Sequence, residues 1–234
     1  MKGVFVTGTD TGVGKTVVCG LLAGFLRGSG VRVVSQKWVQ TGCEGDPEDL
    51  STHRMLSGDP GPPSGEALDD LCPYRFRLPA SPHLAAAREG RRVEASVIEA
   101  AYRRLSAKYD AVLVEGAGGF LVPLAEGLLT GDLVAALGLP VLVVVGNRLG
   151  CVNHALLTVE AVRRRGVPLL GLVFNRTERR TGTEPEVLSD NPRAVAEASG
   201  APVLGELPFL PDRKRGAEAF APIGEAFLSR WRSS

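Results

Sequence analysis

Short apolar runs alternate with stretches of helical periodicity along this chain. Gly3–Thr7 reads as a strand that leads, through a Gly-rich loop, into an apolar helix over Lys15–Arg27. Val31–Gln36, Ala111–Glu115, Leu139–Val145, Leu169–Phe174 and Pro202–Glu206 repeat the strand pattern. Ala95–Lys108 and Asn153–Arg164 carry apolar residues at the 3.6-residue spacing of amphipathic helices, and Ile223–Trp231 predicts a closing helix. The strands are near-continuous Val/Leu rather than alternating, so both of their faces must be covered. That pattern, with helices between strands, predicts an α/β fold: a mostly parallel central sheet with helices on both faces.

Two regions break the rhythm. Gly42–Pro82 is polar and rich in Pro and Gly, and predicts only one short helix, around Pro47–Leu56. Asn175–Asn191 is polar enough to predict a mobile loop. The most lipid-like stretch, Leu128–Val145, is divided by Asp132 and by the Gly138-Leu139-Pro140 turn into a short helix and a strand. It falls short of the roughly 20 continuous apolar residues of a membrane span. No repeat or low-complexity tract marks a boundary, so residues 1–234 are expected to form a single domain.

Composition sharpens this picture at a few points. The net charge of +1 leaves no basic footprint for nucleic acid or an anionic membrane, and neither is expected as a partner. Cys19, Cys43, Cys72 and Cys151 follow no metal-binding or redox spacing, and the N-terminus opens as a strand and loop rather than as an export signal. Dispersed thiols of this kind suit a reducing cytoplasm. Lysine supplies only five of the 27 basic residues. Lys15 and Lys37, each following a predicted strand, therefore carry more information than a lysine ordinarily does.

The strongest motif is Gly8-Thr9-Asp10-Thr11-Gly12-Val13-Gly14-Lys15-Thr16. It joins a strand to a helix, the context in which glycines let backbone N–H groups curl around phosphate oxygens at a helix N-terminus. Lys15 is placed to reach the β- and γ-phosphates, and the Thr16 hydroxyl to bind Mg²⁺. The match to G-x-x-x-x-G-K-[ST] is offset at its start: Thr9 takes the first glycine's place and Gly8 stands one residue early. Elsewhere, Glu115 ends a buried strand at the start of a Gly-rich turn, where a carboxylate suits Mg²⁺ or caps the next loop. Asn153 precedes a helix and reads as an N-cap, at an end that also suits a carboxylate.

The loop resembles the G-T-x-T-x-V-G-K-T loop of dethiobiotin synthetases, and further segments follow in order. Lys37 and Thr41 resemble the family's K-x-x-x-[ST]-G segment, Glu115–Gly119 its V-E-G-A-G-G loop, Leu149–Ala155 its L-G-C-[IV]-N-H segment, and Leu204–Pro208 its L-G-x-[IL]-P strand end. The similarity covers nearly the whole chain, and it departs from the family at Trp38, where a proline is usual. It implies a P-loop NTPase-like fold and a homodimeric, ATP-dependent cyclo-ligase of biotin biosynthesis, acting on 7,8-diaminopelargonate and CO₂ with Mg²⁺. It implies catalytic roles for Lys37 and Lys15. It places ATP against Gly12, Val13, Gly14, Lys15, Thr16, Val17, Asp49, Glu115, Gly116, Ala117, Gly118, Asn175, Arg176, Leu207, Pro208 and Phe209. Thr16, Asp49 and Glu115 would hold the metal, with Asp46 and Glu48 as alternatives to Asp49. Thr41, Gly150, Cys151, Val152 and Asn153 would bind the diamine, the last four across a dimer seam. The competing reading is a regulatory ATPase of the chromosome- and septum-positioning type. That class generally carries a lysine early in the loop, where this chain has Asp10.

Overall fold

The computed structural model describes residues 3–59, 67–178, 182–212 and 215–233. In chain order the elements are β1 (Gly3–Gly8), α1 (Lys15–Gly28), β2 (Val33–Lys37), β3 (Val39–Thr41), α2 (Glu48–Ser57), α3 (Leu68–Leu71), β4 (Tyr74–Phe76), α4 (Pro82–Arg88) and α5 (Ala95–Lys108). There follow β5 (Ala111–Gly119), β6 (Pro123–Ala125), β7 (Leu128–Leu129), α6 (Thr130–Ala136), β8 (Val141–Gly146), α7 (Cys151–Arg164), β9 (Leu169–Asn175), α8 (Pro185–Ser199), β10 (Val203–Leu207) and α9 (Gly216–Ser233).

Six strands form the parallel sheet the sequence predicts, in the order β10-β9-β8-β1-β5-β2. Successive side chains of a strand point to opposite faces, and the packing follows. Phe5, Val112, Val114, Val143 and Val145 join the core under α5, α7 and α8. Their neighbours Val4, Val6, Leu113, Leu142 and Val144 join the core under α1 and α9. Both faces are buried, which is why these strands are largely apolar. The carboxyl ends of β1, β2 and β5 meet at the loop that follows β1, and that edge carries the candidate site. Among the described residues no helix is long and apolar enough to cross a membrane.

The structure corrects the reading of the irregular regions. Gly42–Pro82 holds more than the helix α2: it also contains α3 and the strand β4, which pairs in parallel with β3. Asn175–Asn191 is not one loop, because α8 starts at Pro185. Residues 60–66 and 179–181 of these two segments lie outside the described residues. The closing helix starts at Gly216, seven residues before Ile223. Both α8 and α9 run through a proline, Pro192 and Pro222. A proline inside a helix forfeits one backbone hydrogen bond. Here the apolar face continues past it, with Leu188 and Val195 buried in α8, and Phe220, Ile223 and Phe227 buried in α9. The burial of those side chains outweighs the lost bond.

Candidate active site

The loop between β1 and α1 turns on two glycines in left-handed geometry, Gly12 at φ 75° and Gly14 at φ 92°. Gly14 has a second constraint: a Cβ there would sit 2.0 Å from Asn175 Nδ2. The Asn175 amide instead donates to the Val13 carbonyl at 2.8 Å, so the end of β9 braces the loop. Thr9 N–H donates to Val144 O at 3.0 Å. Asp10 adds two ties: Oδ1 accepts from Thr11 N–H at 2.7 Å and Oδ2 from Arg148 at 2.8 Å. Lys15 is buried and donates to the Asp10 carbonyl at 3.1 Å.

Four side chains from four elements converge on the start of α1. Thr16 Oγ1 lies 3.1 Å from Asp49 Oδ1 and 3.1 Å from Glu115 Oε1. Lys37 donates from Nζ to Asp49 Oδ2 at 2.6 Å, Glu115 Oε1 at 2.7 Å and Gly116 O at 3.2 Å. Lys37 is not beyond β2 but is its last residue, in register with Glu115 on β5, and Glu115 does not end its strand, because β5 runs on to Gly119. Its neighbour Trp38 turns into the core and packs against Phe5, with ring centroids 4.8 Å apart and planes tilted by 42°. The Trp38 indole N–H donates to Gln36, whose amide donates to Asp70 O. The departure from proline is thus a core anchor that holds the lysine at the strand end.

Charge in this cluster is balanced by pairing. Burial alone pushes the Glu115 carboxyl up, but Lys37 and then His53 overcome it and hold the group well below the usual carboxylate range. Burial works against the Lys37 ammonium as well, yet Glu115 and Asp49 raise it above its ordinary value. Lys15 moves the other way, lowered by burial and then by repulsion from Lys37. Two ammonium groups beside Gly-rich backbone form a place for a polyanion. The oxygens of Thr16, Asp49 and Glu115 are hard donors within one coordination sphere, a set that fits Mg²⁺.

Two cavities flank the loop and share Gly12, Gly14 and Val17. The larger, about 700 Å³, is lined by Lys15, Thr16, Lys37, Thr41, Asp49, Glu115, Ala117 and Gly118, and also by Pro79–Pro82. The smaller, about 430 Å³, is lined by Asn175, Arg176, Pro208 and Phe209. Arg176 pairs there with Glu206. Three further residues of the expected ATP set present no side chain to either cavity. Val13 and Leu207 are buried in the core, and Gly116 lies against the Phe5 ring, where a Cβ would be 2.6 Å from Cζ.

The expected diamine segment is split in the same way. Thr41 lines the larger cavity, whereas Gly150, Cys151, Val152 and Asn153 line neither. Asn153 is not the N-cap of α7: Gly150, at φ 86°, holds that position and Asn153 lies in the first turn. Only a residue free of the Cβ clash adopts that backbone geometry readily. Residue-type reasoning gives His53 a structural role and no place in the site, whereas the structure sets it against Glu115. Its spacing of four from Asp49 on a predicted helix was the available signal.

A family model described as an AAA domain matches residues 2–216. An ATP-dependent dethiobiotin synthetase of Anaeromyxobacter dehalogenans (strain 2CP-C) is 47% identical over 226 residues, covering 95% of this chain and 97% of that protein. One from Chlorobaculum tepidum is 42% identical over 221 residues, covering 94% and 91%. Among solved structures, cobyrinic acid a,c-diamide synthase from Mycobacterium smegmatis, with bound ADP and magnesium, aligns at TM-score 0.58 and 25% identity, covering 100% of this chain and 96% of that one. The MinD cell division protein of Aquifex aeolicus aligns at TM-score 0.62 with 15% identity, covering 98% and 97%, a likeness of fold alone. With these identities spanning nearly the full length of both chains, and the loop, Lys37 and Glu115 brought together as that family's motifs require, the chain belongs to the ATP-dependent dethiobiotin synthetases.

Proposed function

We propose that this chain, acting as one catalytic domain over residues 1–234, converts 7,8-diaminopelargonate, CO₂ and ATP into dethiobiotin, ADP and phosphate. One amine adds to CO₂ and loses a proton, giving a carbamate. A carbamate oxygen attacks the γ-phosphorus of ATP and expels ADP, giving a carbamic-phosphoric anhydride. The second amine attacks the anhydride carbon, the C–O bond to phosphate breaks, and a proton leaves the new urea nitrogen. The relatives support the choice of substrate. One observation of this chain carries the chemistry: Lys37, Asp49 and Glu115 converge on Thr16 beside the phosphate loop.

The carbamate must approach a triphosphate, so the first obstacle is repulsion between anions. Lys15 and the loop N–H groups bind and orient the phosphates, and Lys37 faces the same cavity with a proton it does not readily lose. Thr41 lines the same cavity and would orient the substrate nitrogen. Thr16, Asp49 and Glu115 would hold Mg²⁺, which when bound neutralises phosphate charge. The cavity beyond Val17, with Asn175, Arg176, Pro208 and Phe209, would take the base.

The homodimer belongs to the same reading. Gly150–Asn153 is exposed outside its own chain's cavities apart from Cys151 and the half-buried Val152, and large exposed apolar groups flank it: Leu149 at 76% and Leu157 at 56% exposure. Such an arrangement suits a self-complementary interface that offers the start of α7 to the partner's substrate. All four cysteines are free and buried, which supports a reducing cytoplasm as the place of work. The deciding experiment is a coupled assay with ATP, Mg²⁺, bicarbonate and the diamine. ADP release that depends on the diamine is expected; release indifferent to it would sink the substrate assignment.

A further inference from the structure

Helix α2 delivers two side chains to the candidate site. Asp49 and His53 are four residues apart, so they share one face of the helix. That face is seated closely against α1 at two glycines. A Cβ on Gly20 would lie 2.8 Å from Leu56 Cβ and 3.2 Å from His53 Cα, and one on Gly24 would lie 3.1 Å from Ser57 Cα. His53 is thereby carried under the metal-binding edge, 2% exposed, with Nε2 2.7 Å from Glu115 Oε2.

The contact divides the carboxylate into two halves. Oε1 faces the reaction side and meets Thr16 and Lys37. Oε2 faces inward, and His53 is its one hydrogen-bond partner among the described residues. An ionised carboxylate only accepts, so Nε2 must carry the hydrogen. The other ring nitrogen, Nδ1, is buried without a partner. As a packing residue an imidazole is therefore a poor choice here, since one of its polar atoms is desolvated for no return. Its geometry makes sense as a strut.

We propose that His53 is a positioning residue for the metal-binding carboxylate: by holding Oε2 it sets the plane of Glu115 so that Oε1 is presented toward Thr16 and Lys37. This rests on the reading of Glu115 as a metal ligand. Groups that hydrogen-bond a ligating carboxylate from behind typically contribute tenfold or more to metal affinity.

The test measures Mn²⁺ binding by the full chain in the presence of ADP, using the electron paramagnetic resonance of free Mn²⁺. His53→Leu and His53→Asn lose the donor or its reach and are expected to weaken Mn²⁺ roughly tenfold. ADP affinity without metal should stay at the parent's value. His53→Gln, whose amide N–H reaches about as far as Nε2, should keep Mn²⁺ affinity near the parent's. The two amide variants decide the matter if the leucine variant does not fold. Parental Mn²⁺ affinity in His53→Asn, or equal loss in His53→Gln and His53→Asn, would overturn the proposal. Glu115→Gln is measured alongside. If it binds Mn²⁺ like the parent, the ligand reading of Glu115 fails and the strut fails with it. If it loses Mn²⁺ while the His53 variants do not, only the strut is lost.

Discussion

At the scale of single residues, the two buried lysines are opposites. Lys37 is satisfied by Asp49 and Glu115 and holds its proton more tightly than an ordinary lysine. It is suited to cancelling charge and unsuited to serving as a base. Lys15 donates to the Asp10 carbonyl, and burial and then Lys37 lower its pKa more than Glu115 and Asp49 raise it, a deficit that a bound polyphosphate would relieve. Lys37→Gln should therefore lower kcat by roughly 10²–10³-fold while KM for ATP changes little, as steady-state kinetics would show; parental turnover would remove Lys37 from the reaction. Lys37→Arg should also be impaired, because a broad planar fork replaces a compact ammonium at a residue only 4% exposed. Glu115 supports a prediction about pH. Its carboxyl is held below the ordinary value of 4.5, so the unfolded chain takes up the proton first as pH falls. The stability it contributes is complete above that value and is lost as pH falls toward the lower folded value. In metal-free protein the stability deficit of Glu115→Gln, followed by urea unfolding, should shrink between about pH 5 and pH 3. A deficit unchanged across that range would contradict the assignment.

At the scale of elements, the docking of α2 on α1 decides whether the site exists. Gly20 and Gly24 let the two helices approach until backbone meets side chain, and α2 brings Asp49 with it. Gly20→Val should overpack this seam, at a cost of about 1–3 kcal/mol, lower Tm by several degrees and reduce activity beyond what the stability loss explains. Gly28→Ala is the matched control, since a Cβ there meets nothing within 4 Å and alanine favours a helix. Equal behaviour of the two variants by calorimetry and assay would show that the close approach is not required. Helices α8 and α9 show a different element-level effect. A proline reads locally as a stop, yet the apolar stripe on either side of it belongs to one continuous surface against the sheet.

At the scale of the whole molecule, Gly150–Asn153 stands outside the cavity that Lys37 and Thr41 line. If that segment serves the partner's site, two inactive variants should complement each other. Subunits carrying Lys37→Gln, mixed and refolded with subunits carrying Gly150→Val, should recover about a quarter of parental activity, since statistical pairing leaves one intact site in half of the dimers. No recovery, in a mixture shown by native mass spectrometry to contain the heterodimer, would place both segments in the same chain's site. The division between what was legible in the chain and what was not follows from range. The parallel sheet, the phosphate loop, Lys15, Thr16 and Lys37 were readable because each is written in a short window: a strand of continuous apolar residues, a turn that only glycine can make, a charged residue at a strand end. The extent of α8 and α9, the inward turn of Trp38 and the approach of His53 to Glu115 were decided by packing between residues far apart in the chain. A local pattern specifies what a segment can form; which of its faces is buried, and against which charge, is set only when the other elements close over it.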